Sequence, residues 1–237
     1  MTKPNNYRPL LTVGKDAKTP KGEKLGYLTG IMYLAPASSS KVTNVCPMST
    51  AGCRKACLNT AGMAGIFPQI LKGRTNKTKF MVKNPKAFRD SLRYDINKLV
   101  VKAERKNMIP AVRLNGTSDL PKLAIQLANE FPTVQFYDYT KIPKPYNRTL
   151  PNYYVTFSLS ESNLLEALDV LKHGMNVAVV FNRIKGEPLP NDWHGFKVVD
   201  GDISDLRFLD EQGVVVGLRA KGKAKKDTSG FVQIAGI

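Results

Sequence analysis

The chain has 237 residues, 42% of them hydrophobic, which is enough for a well-formed core and excludes global disorder. Its 36 Lys and Arg against 19 Asp and Glu give a formal net charge of +17, a balance that points past mere solubility to a nucleic-acid partner. The apolar runs, such as Val177–Phe181, are too short to cross a bilayer, and the start from Met1 to Tyr7 has no secretory apolar core, so the expected compartment is a reducing cytoplasm.

Residues 1–24 are rich in Lys, Pro, Thr and Asn and read as a basic arm or irregular loop ahead of one α/β domain over 25–237. The first strand is expected over Leu25–Ala35. It runs through Ala35–Ser40 into a loop over 46–57 that holds all three cysteines, Cys46, Cys53 and Cys57. An odd count argues against a disulfide framework. Thiolates are soft ligands, and three gathered in a polar turn suit an iron–sulfur cluster or zinc. A [4Fe-4S] cluster usually takes four thiolates, so three leave one iron for a substrate, a small cofactor or a non-cysteine ligand. Zinc is the alternative, with His173 or His194 as fourth ligand. Plain structural cysteines are the bland one.

Residues 71–106 form a basic helical region with Lys72, Arg74, Lys77, Lys79, Lys83, Arg89 and Arg93 among its cations. Asn84-Pro85 suits an N-cap followed by proline at the first helical position. Behind it Phe88, Leu92, Ile96, Leu99 and Ala103 repeat at three and four residues, an amphipathic helix with a basic outer face. That face alone suits a solvated helix; beside the Lys72–Lys83 run it suits a polyanion.

Strands and helices then alternate. Strands are expected over Pro110–Leu114, Val134–Asp138, Tyr153–Leu159, Val177–Phe181, Phe196–Val199 and Val214–Leu218. Helices are expected from Leu120 to Phe131 and over Asn163–His173, with a Pro-rich loop at Lys141–Pro151. A basic tail, Arg219–Lys226, carries Lys221 and Lys223. The alternation predicts a mostly parallel sheet, open or curled into a partial (β/α) barrel. Polar residues follow the strands: Asn115, Thr117, Ser118 and Asp119; Asp138, Tyr139 and Lys141; Ser158, Ser160 and Glu161; Asn182 and Arg183; Asp200, Asp202 and Asp205. Ligands of parallel α/β folds bind at the carboxyl ends of the strands, so these residues are expected around one mouth with the cysteine loop. Singly, each also suits a cap or turn.

Several stretches together resemble a family of phage and plasmid proteins named after a mycobacteriophage gene product eighty-eight. They are Leu34–Ala37, Cys46-Pro47 through Gly52-Cys53 to Cys57-Leu58, Gly62, Arg74 with Thr78 and Phe80, and Arg113–Asp119. Asp200-Gly201-Asp202, Asp205–Phe208 and Gly217–Gly222 complete the set. More distantly, a three-cysteine loop after the first strand of a βα series resembles radical S-adenosylmethionine enzymes. Here the spacing is C-x6-C-x3-C where that family has C-x3-C-x2-C, and Ala56 stands where it has an aromatic residue. That likeness implies a partial barrel with S-adenosylmethionine on the fourth iron, near Asn115, Ser118, Asp119, Ser158 and Asn182.

The leading expectation is an iron–sulfur protein that binds and processes DNA or RNA. Cys46, Cys53 and Cys57 would hold the cluster, with Lys72–Lys106 and Arg219–Lys226 tracking phosphates. The alternatives are a radical S-adenosylmethionine-type enzyme and a non-catalytic, zinc- or cluster-pinned binding module. A nuclease variant needs two or more of Asp119, Asp200, Asp202 and Asp205 to meet within reach of Mg²⁺ or Mn²⁺.

Overall fold

The computed structural model describes residues 2–14, 19–148 and 150–235. In chain order it gives β1 (Leu11–Val13), α1 (Thr19–Glu23), β2 (Tyr27–Met32), α2 (Ala51–Lys55), α3 (Gly62–Ile66), α4 (Pro68–Lys83) and α5 (Pro85–Arg105). Then follow β3 (Ile109–Arg113), α6 (Pro121–Glu130), β4 (Gln135–Thr140), β5 (Tyr153–Ser158), α7 (Leu164–Lys172), β6 (Val177–Phe181), β7 (Asp192–Trp193), β8 (Phe196–Asp200) and β9 (Val215–Arg219). Among the described residues the strands form one sheet in the order β1-β2-β3-β4-β5-β6-β9-β8-β7. All neighbours pair in parallel except β1 with β2 and β7 with β8.

The helices start where the sequence allows: α4, α5 and α6 each open on a proline, whose missing N–H costs nothing in a first turn. Phe88, Leu92, Ile96, Leu99 and Ala103 line the inner face of α5 and pack with Leu28, Val112 and Phe136 of the sheet. Each such large side chain taken from water contributes about 1.5–3 kcal/mol. Ala167, Val170 and Leu171 of α7 pack likewise on Phe157, Val177 and Val179. The long helices thus cover one face. The other face carries Tyr27, Ala111, Tyr137 and Tyr154 and is covered by the 200–210 connection, which sets Leu206 and Phe208 against them.

Residues 2–14 and 19–24 of the expected arm or irregular loop carry β1 and α1. Leu11–Val13 adds an antiparallel edge strand, and Leu10 is fully buried. Asp95, on the inner side of α5, holds this segment: it accepts the Tyr7 hydroxyl at 2.6 Å and the Leu10 and Leu11 amides at 2.7 and 3.1 Å. Residues 1 and 15–18 of the expected arm, Thr149 of the Pro-rich loop and 236–237 of the domain lie outside the described residues. The first strand is shorter than Leu25–Ala35: Gly26, at φ +82°, turns the chain before it, and it ends at Met32.

Candidate functional site

Three connections at the carboxyl ends of the parallel strands assemble around the cysteines. The first is the β2 exit itself. Cys46 follows Val45, whose N–H bonds the Ala37 carbonyl at 3.2 Å, and the Ala37 N–H donates to the Cys46 sulfur at 3.3 Å. Cys53 lies in α2, and Cys57 ends the turn after it. An Asn59 backbone N–H likewise faces the Cys57 sulfur. Neighbouring thiols contribute to the rise of two of them: Cys57 and Cys53 raise Cys46, and Cys53 raises Cys57. Burial is the larger cause for both, pushing Cys46 up to about 11. The Cys46 and Cys57 thiols are therefore protonated near neutrality, and a metal must displace those protons. Arg74 and Lys141 lie close enough to Cys57 to oppose its rise.

The second connection is Asn115–Asp119, after β3. Asn115 donates its backbone N–H and its side-chain amide to the Asp138 carboxylate at 2.7 and 2.8 Å. Its carbonyl oxygen accepts from Ser118 and from the Leu120 N–H. Asp119 takes the Thr140 hydroxyl on one oxygen and the Lys141 N–H on the other, both at 2.8 Å. The turn is clamped to the cysteine loop as well. The Asp119 N–H donates to the Val45 carbonyl at 2.8 Å, the Thr117 hydroxyl to Leu34 at 2.6 Å, and the Cys46 thiol to Thr117 at 3.6 Å. A Cβ at Gly116 would lie 2.6 Å from the Tyr33 ring, so the motif needs glycine there. Asn115, Ser118 and Asp119 thus brace the cysteine loop with hydrogen bonds made to protein.

Glu161, after β5 and among the polar residues expected at this mouth, is the third support. Its carboxylate accepts the Gly52 N–H at 2.6 Å and the Thr50 hydroxyl at 2.7 Å, while the Thr50 oxygen accepts the Cys53 N–H at 3.2 Å. A cap that is itself held by an acid fixes the start of α2 against the sheet. A Cβ on Gly52 would meet Ser229 at 2.2 Å and the Glu161 carboxylate at 2.8 Å. Glu161→Gln is expected to loosen the cap by about 1 kcal/mol, raising hydrogen exchange at the Gly52 and Cys53 amides about five-fold. Exchange at Val112 should stay as it was; unchanged rates at all three amides would remove Glu161 from this role. The strap after β9 closes the far side. Ala220 and Ala224 pack on Ala56, with Phe231 and Val232 beside them, and the Lys223 N–H reaches Thr60.

Of the four acids expected near a divalent ion, Asp200 and Asp202 come together, on Arg219. Asp119 is held as described, and Asp205 pairs with Arg113 at 2.9 Å. Asp200 and Asp202 pair with Arg219 at 2.9 and 3.3 Å, and Asp202 also takes Lys221. Among the described residues, no group of three or more His, Cys, Asp or Glu side chains could hold a single metal ion. His173 stacks on Tyr146, with ring centroids 4.0 Å apart, and His194 lies edge-on to Trp193, so each is engaged away from the cysteines.

The ten basic residues divide. Arg93 is held by Glu130 and Asp90, Arg219 and Lys221 by the acids above, and Lys77 donates to the Leu10 carbonyl at 2.7 Å. Arg74 bonds Asn59 at 2.6 Å and lies over the Tyr33 ring. Arg89 lines a cleft of about 450 Å³, with Pro47, Phe88, Asp119, Leu120 and Lys122. Lys72, Lys79, Lys83 and Lys223 remain exposed. A longer charge signal runs through the chain: residues 24–89 contain no Asp or Glu and eleven Lys and Arg, Arg54 and Lys55 of the cysteine loop among them.

The Asp138 carboxyl, fully buried under the turn, is pushed up to about 7 by that burial, against the donors of Asn115 and the charge of Arg113. Burial raises Asp119 too. An acid raised in the fold contributes stability below its unfolded pKa and loses it as pH rises through the folded value. Thermal stability is expected to fall from about pH 4.5 to about pH 7. Glu161 and Asp202, lowered by their partners although burial opposes them, act in the opposite sense only at lower pH. Asp138→Asn should flatten the fall while lowering stability throughout, since an amide cannot accept both Asn115 donors. Melting curves in both proteins check this; the same slope in each would refute it.

A family model described as Gene product 88 matches residues 9–234. No curated protein and no solved structure matches. No helix among the described residues is long and apolar enough to cross a membrane.

Proposed function

We propose that this chain, which belongs to the Gene product 88 family, is an iron–sulfur protein that engages nucleic acid. The observation that carries the reading is the cysteine trio. Three free thiols are braced at the carboxyl ends of a parallel sheet, and two of the sulfurs face backbone N–H donors. Hydrogen bonds to sulfur and nearby cations favour thiolate and tune a cluster, and Arg74 and Lys141 supply the cations here. A single zinc holds sulfur at about 2.3 Å and draws its ligands into one tight tetrahedron. A reducing cytoplasm would keep the three thiols free.

The nucleic-acid half rests on the acid-free stretch over 24–89, which flanks the cysteines with cations along the chain. Anaerobic purification followed by iron and sulfide analysis tests the first half. A colourless protein carrying one zinc and no iron would end it.

A second reading is favoured by the donor set alone: three thiolates leave one iron of a four-iron cluster without a protein ligand, the arrangement in which S-adenosylmethionine is cleaved reductively. The sequential order from β2 to β6, with the long helices on one face, supports viewing the sheet as a partial (β/α) barrel. Asn115, Ser118 and Asp119 would then shape the mouth through their bonds to Asp138, Thr140 and Lys141. Reduction with dithionite in the presence of S-adenosylmethionine should yield 5′-deoxyadenosine, and a loaded protein that makes none excludes this chemistry.

A further inference from the structure

Beside the cysteine loop the chain presents apolar side chains to water. Met63, Ile66 and Phe67 stand three and four residues apart and so share one side of α3 and its exit. Their exposures are 62%, 68% and 44%, and Leu58, in the turn that α3 packs against, is 47% exposed. The patch is built into the fold. Gly62 takes φ +54°, and a Cβ on Gly65 would lie 2.4 Å from the Thr60 carbonyl, so α3 is seated directly on the Leu58–Thr60 turn. The C-terminal strap seats on the same carbonyl, where a Cβ on Gly222 would lie 2.6 Å away.

α4 leads away from this patch and has no acid in it. Lys72, Asn76, Lys79 and Lys83 are exposed and recur at four, three and four residues, a single stripe along the helix. The stripe is about 16 Å long. An apolar patch therefore sits at one end of a cationic rail.

We infer that this surface takes a single strand of nucleic acid, its unstacked bases on Met63, Ile66 and Phe67 and its phosphates along Lys72, Lys79 and Lys83. The inference rests on the nucleic-acid reading above and narrows it. A duplex keeps its base faces inside and offers this patch only sugar and phosphate, leaving the apolar side chains wet. A single strand offers a π-face from every base, together with the charge that complements the rail. A second copy of the chain fits the patch less well, because it would bring two acid-free basic surfaces together.

The test is fluorescence anisotropy of one labelled oligonucleotide, free or annealed to its complement, with the full chain at several salt concentrations. The single strand is expected to bind about ten-fold tighter or more. Ile66→Ala with Phe67→Ala should weaken single-strand binding about ten-fold or more while leaving the salt slope and duplex binding as they were. Phe67→Trp, which keeps a ring, should retain the affinity. Lys72→Ala, Lys79→Ala and Lys83→Ala together should lower the salt slope by about 2. Equal affinity for duplex, or alanine variants that bind the single strand like the parent, overturns the inference while leaving nucleic-acid binding in place. Dimerisation abolished by Ile66→Glu also overturns it, by giving the patch to a second copy. No binding to either form at low salt removes the nucleic-acid reading and the inference together.

Discussion

Serine at any one of Cys46, Cys53 or Cys57 is expected to bring the iron and sulfide of the proposed cluster down to background. Each thiolate would anchor a different iron, so one loss leaves two anchors and a second open iron. A serine hydroxyl stays protonated near neutrality and is a hard ligand, so it does not replace the sulfur. Neither histidine can substitute, since His173 is stacked on Tyr146 and His194 lies against Trp193. The fold should survive, because the bonds that brace the loop come from Glu161, Asp119 and Thr117. The three variants should differ in metal-free stability. Cys46 alone both accepts from Ala37 and donates to Thr117, and a shorter hydroxyl cannot keep both contacts, a loss of about 1 kcal/mol. Metal and sulfide analysis with melting of the metal-free proteins reads both effects. Iron retained by Cys53→Ser would take that residue out of the site.

The α/β alternation was legible because its signals are local. Val177–Phe181 is a short apolar run, Pro121 opens a helix, and Phe88 to Ala103 keeps a helical period. The docked N-terminal segment was not, because its anchor is one acid on the inner face of α5. Asp95 meets Leu10 and Leu11 more than eighty positions away. The helix α4 showed only as a basic run. The side chains on its inner side include Arg74, Lys77 and Thr78, so its apolar period is faint. The acids after the strands were legible as a group but not by role: a turn carboxylate looks the same whether it awaits a metal or an arginine. Here the partners lie in other motif stretches, Asp205 with Arg113 and Asp200 with Arg219. Much of the polar signature that carries the family resemblance thus holds one connection to another.

Asp205→Asn is expected to be among the most destabilising substitutions in the chain. Arg113 is buried on the sheet face opposite the long helices, with its side chain 4% exposed. It donates to both Asp205 oxygens at 3.0 and 2.9 Å and lies 4.5 Å above the Tyr139 ring. Removing the carboxylate charge leaves a guanidinium out of water without its counter-charge, which costs about 3–5 kcal/mol. For a chain of this size that lowers the melting temperature by about 10 °C. The pair itself is a weak source of stability, however. Its desolvation is only partly offset, and the Arg113 Nε has no hydrogen-bond partner among the described atoms. Arg113→Met combined with Asp205→Leu should therefore recover most of the loss, so the two single costs would not add. The pair ties the 200–210 connection to β3 on the far side of the sheet from the long helices and uses none of the groups that brace the cysteines, so the double variant should still load iron. Denaturant unfolding of the four proteins in the cycle decides it. Single costs that simply sum in the double variant would mean that Arg113 and Asp205 are not coupled in solution.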